Sequence, residues 1–298
     1  MIDLRALAEL AASVDEPGSR TLEPLMLGSE AIDVSTVPVL MGTVNLSRDS
    51  TYRESIAVSV ESALRKARVM AAEGARIIDI GAESSTAKAA RVSAEEQIAR
   101  LLPVIDGCVA SGLAVSVETY EPTVVASALA AGAVVLNMTG VRHEDEMLRM
   151  AAEHGATVIL CYSGGADVRE ITDVTVDEDP LPGLRDHFAR RLDHARAIGV
   201  ERLVIDPGMG FYYGNLTDPL TRARHQARVL LNGIRLRDLG VPLCNALPHA
   251  FDLFEEHFRS AESFFAVLAV LGGTGILRTH EVPQVRAVVS AMSTLSVN

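Results

Sequence analysis

From Val39 onward the chain alternates short apolar runs with longer amphipathic stretches, and the rhythm repeats eight times. No other feature constrains the fold as strongly. The runs predicted as strands are Val39–Val44, Arg76–Ile80, Ala114–Glu118, Val134–Met138, Thr157–Tyr162, Arg202–Asp206, Pro242–Ala246 and Gly275–His280. They are β-branched or continuously apolar, as parallel strands covered on both faces must be. The helices predicted between and after them are Ser55–Glu73, Ser93–Ser111, Pro122–Ala131, Asp145–His154, Leu184–Ile198, Pro219–Leu239, Phe251–Leu271 and Val282–Ser293. A glycine stands near most helix ends (Gly74, Gly112, Gly132, Gly155, Gly199, Gly240, Gly272), where it can take the left-handed conformation that stops a helix.

Strict βα alternation at this size predicts an α/β fold, a (β/α)8 TIM barrel over residues 38–298. An open doubly wound sheet is the alternative. Residues 1–37 read as a short N-terminal extension. It holds a helix at Leu4–Ala12, a break at Asp15–Ser19 and one or two short strands between Leu22 and Val37.

Composition narrows the function. A net charge of −12 over 298 residues argues against a nucleic-acid binder, which needs a basic stripe. With no Trp and 4% aromatics, a base-stacking platform is not expected. No apolar run reaches membrane-spanning length, and Met1–Leu10 lacks the apolar centre of a secretory signal. Cys108, Cys161 and Cys244 are widely spaced and form no metal motif, so a reducing cytoplasm is the expected compartment.

In a parallel barrel, chemistry sits at the C-terminal ends of the strands. Those ends carry Asn45, Asp79, Glu118, Asn137, Tyr162, Asp206, Asn245 and His280. Such a ring suits a flat polar heterocycle with several N–H donors, because a carboxylate accepts two parallel N–H bonds from an amidine-like edge. The competing reading is that each residue merely caps the following helix. Arg278 and His280, two apart on one strand, should point the same way and meet an anion.

Six segments resemble the dihydropteroate synthase family of pterin-binding (β/α)8 barrels. They are Met41–Ser50, Asp79–Ser85, Ser116–Tyr120, Gly132–Met138, Ile205–Phe211 and Arg278–Val282, in family order and each at a separate strand end. The resemblance implies a transferase of folate biosynthesis that condenses a dihydropterin-CH2-diphosphate with an amine and releases diphosphate. It places Glu118, Asn137, Asp206 and Arg278 on the pterin. Asn45, Arg278 and His280 fall on the diphosphate, with Asn45 beside Mg²⁺. Asp206, Arg278 and His280 become the catalytic candidates, with Asp79, Asn245 and His249 as further ones. It also implies a homodimer, through a helix carrying Phe254, Phe258, Phe264 and Phe265.

The chain departs from the family on the acceptor side. The Lys after the seventh barrel strand is missing, and His249 lies near its position. Thr86 replaces an Arg, Glu118 an Asp, and Met138 an Asp. An acceptor other than p-aminobenzoate is therefore considered, as are a folate-dependent methyl or one-carbon transferase and a catalytically weak pterin-binding paralogue. Poor inhibition by sulfonamides, which mimic p-aminobenzoate, is expected.

Overall fold

In the computed structural model, which describes residues 2–13, 21–47, 55–84, 89–167, 179–210 and 216–295, each of the eight predicted runs forms a strand. They are β3 (Val39–Asn45), β4 (Ala75–Gly81), β5 (Ala114–Thr119), β6 (Val135–Met138), β7 (Thr157–Cys161), β8 (Leu203–Asp206), β9 (Cys244–Ala246) and β10 (Ile276–Thr279). All pair in parallel, in the order β8-β7-β6-β5-β4-β3-β10-β9. A bridge between Ile205 and Leu243 brings the two ends together. The fold is a (β/α)8 barrel.

Alternation along each strand builds two apolar layers. Leu40, Ile78, Val117, Leu136, Leu160 and Leu277 face outward into the core shared with the helices. Their neighbours Met41, Ile77, Val135, Ile159, Val204 and Ile276 fill the barrel interior. Two residues further along, the inward positions of several strands turn polar, and the site begins there.

The outer ring comprises α2 (Val60–Glu73), α3 (Ala94–Ala110), α4 (Pro122–Ala130), α5 (Glu144–Glu153), α6 (Leu181–Ile198), α7 (Pro219–Asn232), α9 (Ala261–Leu271) and α10 (Val282–Thr294). The short α8 (Phe251–Phe254) precedes α9, and α1 (Leu4–Ser13) precedes the barrel.

Three helix predictions are corrected. The helix expected from Ser55 starts at Val60, where Ser59 and Ser62 form a reciprocal cap. The preceding residues instead extend the rim of β3: Ile56 bridges Asn45, and the Ala57 amide donates to the Asn45 carbonyl at 2.8 Å. The helix expected over Pro219–Leu239 continues as a 3-10 stretch from Gly233. The helix expected over Phe251–Leu271 breaks after Phe254 and runs as a 3-10 turn through Ser260. Ala250 (φ 43°, ψ 47°, left-handed) and Glu255 (φ 50°, ψ −123°) both take positive φ on either side of α8, a strained choice for non-glycine residues. At the end of α9 the left-handed residue is Gly273, not Gly272. A Cβ on Gly272 would lie 1.9 Å from the Leu230 carbonyl oxygen, so close packing rather than φ demands that glycine.

The extension forms an antiparallel hairpin, β1 (Leu25–Leu27) and β2 (Glu30–Ile32), across the N-terminal end of the barrel. Leu25, Leu27 and Val34 enter the interior apolar cluster. The Thr157 hydroxyl donates to the Met26 carbonyl at 2.6 Å, and Arg202 to the Gly28 carbonyl at 3.0 Å. That end is plugged, and the opposite end carries the polar residues.

Candidate active site

Five strands furnish the polar lining of the upper barrel: Asp79 from β4, Glu118 with Ser116 from β5, Asn137 from β6, Asp206 from β8 and Arg278 from β10. Register sets their levels, with Asp79 opposite Ser116 and Glu118 opposite Asn137. Asp79 accepts from the Ser116 hydroxyl at 2.7 Å and from Asn137 Nδ2 at 3.1 Å. Arg278 Nη1 lies 3.4 Å from both Asp79 Oδ2 and Glu118 Oε2. The Cys161 thiol donates to Asn137 Oδ1 at 3.1 Å, which fixes the orientation of the amide. Asp206 Oδ1 accepts from the Gly208 amide at 2.8 Å. Gly210 lets the guanidinium lie close, since a Cβ there would be 3.3 Å from Arg278 Nη2 and 2.8 Å from the Ala246 Cβ.

Three buried carboxyls share one buried guanidinium, and full ionisation would leave the pocket with two uncompensated negative charges. Protons relieve that imbalance. Burial raises the Asp79 and Asp206 carboxyls above their ordinary range and pushes Glu118 up to about 7, with Asp79 and Asp206 adding to the effect on Glu118. Burial opposes the charge on Arg278, yet Glu118, Asp79 and Asp206 hold it protonated, above its ordinary value. The pocket thus offers carboxyls that can accept or donate, which suits a ligand edge bearing both N–H and carbonyl groups. Burial also raises the Cys161 and Cys244 thiols well above their usual range, so they act as neutral lining.

Toward the rim, His280 and Arg278 do not converge on one partner as expected. The β10 strand ends at Thr279, and the chain then turns. Arg278 goes to the carboxylates inside the barrel, whereas the His280 ring goes to Glu262 on α9, with Nδ1 2.9 Å from Oε1. His249 joins them, its Nε2 3.2 Å from Glu262 Oε1 and 3.1 Å from His280 Nδ1. Glu262 is buried; burial alone would raise its carboxyl, but the bonds from His249 and His280 hold it well below the ordinary range. Glu262 escaped the sequence reading. The one hint is a carboxylate in the first turn of an otherwise apolar helix.

Asn45 closes β3 and donates from Nδ2 to the Ser55 hydroxyl at 2.5 Å. Asn245 is not at the mouth: it sits on the outer side of β9, in register with the outward Leu277, and donates to the Thr274 hydroxyl at 2.8 Å. Tyr162 packs edge-on against the His187 ring. Beside the pocket, Tyr120 donates to Glu83 and accepts from Arg91 at 2.5 Å, tying the loop after β4 to β5. Thr86 lies outside the described residues, as do the family-like segments' ends from Arg48 to Ser50, at Ser85 and at Phe211.

The carboxyl–guanidinium pocket lies at the strand C-termini, where barrels of this kind carry their chemistry. Residues 41–280 match the model of the pterin binding enzyme family, and the chain belongs to that family. A dihydropteroate synthase type-2 of Escherichia coli is 34% identical over 257 residues, covering 82% of this chain and 90% of that protein. The dihydropteroate synthase of Bacillus subtilis is 28% identical over 276 residues, covering 89% and 91%. Among solved structures, Xanthomonas albilineans dihydropteroate synthase with 4-aminobenzoic acid superposes with a TM-score of 0.76 at 27% identity, covering 93% of this chain and all of that one.

Proposed function

We propose that this chain is a transferase of the dihydropteroate synthase type, joining a dihydropterin-CH2-diphosphate to an amine acceptor with release of diphosphate. The observation that carries this reading is the set of Asp79, Glu118, Asn137 and Asp206 around Arg278 inside the barrel mouth. Asp206, ionised, is assigned the amidine-like edge of the pterin through two parallel N–H bonds. Asn137 and Glu118 take the neighbouring ring positions, with Arg278 bracing the ring. Bringing N–H donors against Asp206 replaces water with a donor pair, and this favours loss of its proton.

The reaction breaks the bond between the CH2 carbon and the diphosphate oxygen, and the electron pair leaves with the diphosphate. The pterin delocalises the positive charge that remains. The amine lone pair then forms the C–N bond, and the amine releases a proton. No protein nucleophile is required. The residues act electrostatically, carboxylates against the cationic ring and Arg278 and His280 toward the leaving group.

Mg²⁺ fits the first strand end. The Asn45 side chain is anchored through Nδ2 to Ser55, and an amide oxygen is the hard donor Mg²⁺ accepts together with diphosphate and water oxygens. Bound there, it would neutralise charge on the departing diphosphate.

We also read the chain as a cytoplasmic homodimer. The three unpaired, buried thiols support a reducing compartment. The half-exposed Phe264, with Leu253 and Leu220 also exposed, supports a subunit contact at α7 and α9. Light scattering that gives a monomer would remove the dimer.

The test is incubation with dihydropterin-CH2-diphosphate and Mg²⁺, with and without p-aminobenzoate, followed by analysis of the pterin products. Amine-dependent release that yields dihydropteroate identifies the acceptor as p-aminobenzoate. Release without p-aminobenzoate incorporation supports the transferase with another acceptor. Pterin binding without release overturns it in favour of a one-carbon transferase or a silent pterin binder.

A further inference from the structure

His249, Glu262 and His280 meet at the rim from three separate segments, the turns after β9 and β10 and the first turn of α9. Their facing atoms form a nearly equilateral triangle. His280 Nδ1 to Glu262 Oε1 is 2.9 Å, His249 Nε2 to His280 Nδ1 is 3.1 Å, and His249 Nε2 to Glu262 Oε1 is 3.2 Å. With Glu262 held ionised, protons do not satisfy all three edges. If both nitrogens donate to the carboxylate, the nitrogen–nitrogen edge sets two donors against each other. If one nitrogen donates to the other, the accepting nitrogen turns its lone pair on the carboxylate. A cation above the triangle satisfies all three lone pairs at once. With metal–ligand distances near 2.0–2.1 Å, tetrahedral geometry places ligands about 3.3 Å apart, close to these edges.

The surroundings match a built site. Glu262 Oε2 accepts from the Thr279 hydroxyl, from the His280 amide at 3.0 Å and from the Glu281 amide at 3.2 Å, while Oε1, which also takes the His280 amide at 3.3 Å, faces the imidazoles. Such outer bonds orient ligands in metal sites. Glu262 is 1% exposed at its side chain, while His249 and His280 are 20% and 17% exposed. The triangle is thus rooted in the protein and open toward solvent on the histidine side, where a fourth ligand can bind.

We propose that His249, Glu262 and His280 bind one divalent cation of the borderline, zinc-like class, with an open fourth position. Two imidazoles and one carboxylate select this class over Mg²⁺, which prefers an all-oxygen shell. The site lies apart from Asn45 and from the carboxylates of the pterin pocket; it shares His280 with the leaving-group side of the reaction proposed above, and its metal binding is therefore tested without that reaction.

The experiment uses the untagged full chain, stripped with a chelator, titrated with Zn²⁺ by calorimetry and with Co²⁺ by visible absorption, without pterin. The expected result is one Zn²⁺ per chain, a tetrahedral-type Co²⁺ spectrum, and no displacement by Mg²⁺. His249→Ala, at a half-buried position, should weaken binding at least about 100-fold, whereas His257→Ala, at an exposed position, should leave it unchanged. Glu262→Gln should also abolish the spectrum, and circular dichroism checks its folding. Absence of stoichiometric binding overturns the proposal, as does binding that His249→Ala leaves intact. Loss of transferase activity in the first assay, with metal binding retained, would count against the reaction and not against this site.

Discussion

Arg278 on β10 and Asp79 on β4 stand on either side of β3 and meet inside the barrel, Nη1 3.4 Å from Oδ2. This guanidinium is the cation on which three buried carboxyls depend. Arg278→Met should destabilise the protein by about 3–5 kcal/mol, the usual cost of removing one partner of a buried charge set. The loss should be smaller at pH 5.5 than at pH 8, because protonated carboxyls need no cation. Thermal unfolding at the two pH values checks this, and an equal loss at both would contradict the charge assignment.

Glu118 gives a second pH dependence. Its carboxyl titrates near 4.5 when exposed and at about 7 in the fold. A raised acid contributes stability that is complete below pH 4.5 and lost as pH rises through 7. Glu118→Gln removes that titration. Between pH 5 and pH 8 the parent chain should lose on the order of 1–3 kcal/mol more than the variant. Urea unfolding at both pH values measures the difference, and parallel slopes would refute it.

His187 works in the opposite sense. Burial, helped by Arg191 and Arg190, lowers it from 6.5 to about 4. Its contribution is complete above pH 6.5 and disappears as pH falls through 4. The ring keeps partial solvent access, so the expected effect of His187→Phe is a gain of about 1–2 kcal/mol at pH 4.5 relative to pH 7. The NMR titration of the His187 ring should show no midpoint above pH 5.

Leu25 in the hairpin is 1% exposed and packs into the barrel interior. Leu25→Ala should cost about 2–4 kcal/mol of stability. Pterin affinity should stay within a few-fold, because the hairpin closes the end opposite the site. A large affinity loss in a folded variant would show that the plug also shapes the pocket.

Sulfonamides are expected to inhibit poorly, because the sequence carries Thr86 and His249 near the positions where the family resemblance implies an Arg and a Lys. Calorimetry with dihydropterin-CH2-diphosphate present checks this, and micromolar sulfonamide binding would contradict it.

The barrel was legible because its strands announce themselves twice, as apolar runs and as polar residues at their C-terminal ends. Asp79, Glu118, Asn137, Asp206 and Arg278 lie inward because strand alternation leaves no other choice once the interior face is known. Asn245 misled because β9 has only three residues, too few to show which face each side chain takes. His280 misled because the strand periodicity that pairs it with Arg278 stops at Thr279. The break after Phe254 has no Gly or Pro to mark it: the positive-φ residue there is Glu255. Glu262 stayed hidden because its role exists only once α9 brings it against two histidines distant in the chain.

The hairpin at the closed end also sets an order of events in time. Met26 is bound by Thr157, 131 residues later, and Gly28 by Arg202, 174 residues later. A ribosome delivers the hairpin before either of these partners. The hairpin must therefore wait for them until β7 and β8 exist, and such long-range closures slow folding. Its docking is a late step, and an N-terminal fusion that hinders the hairpin should be felt as slow maturation before it is felt in the active site.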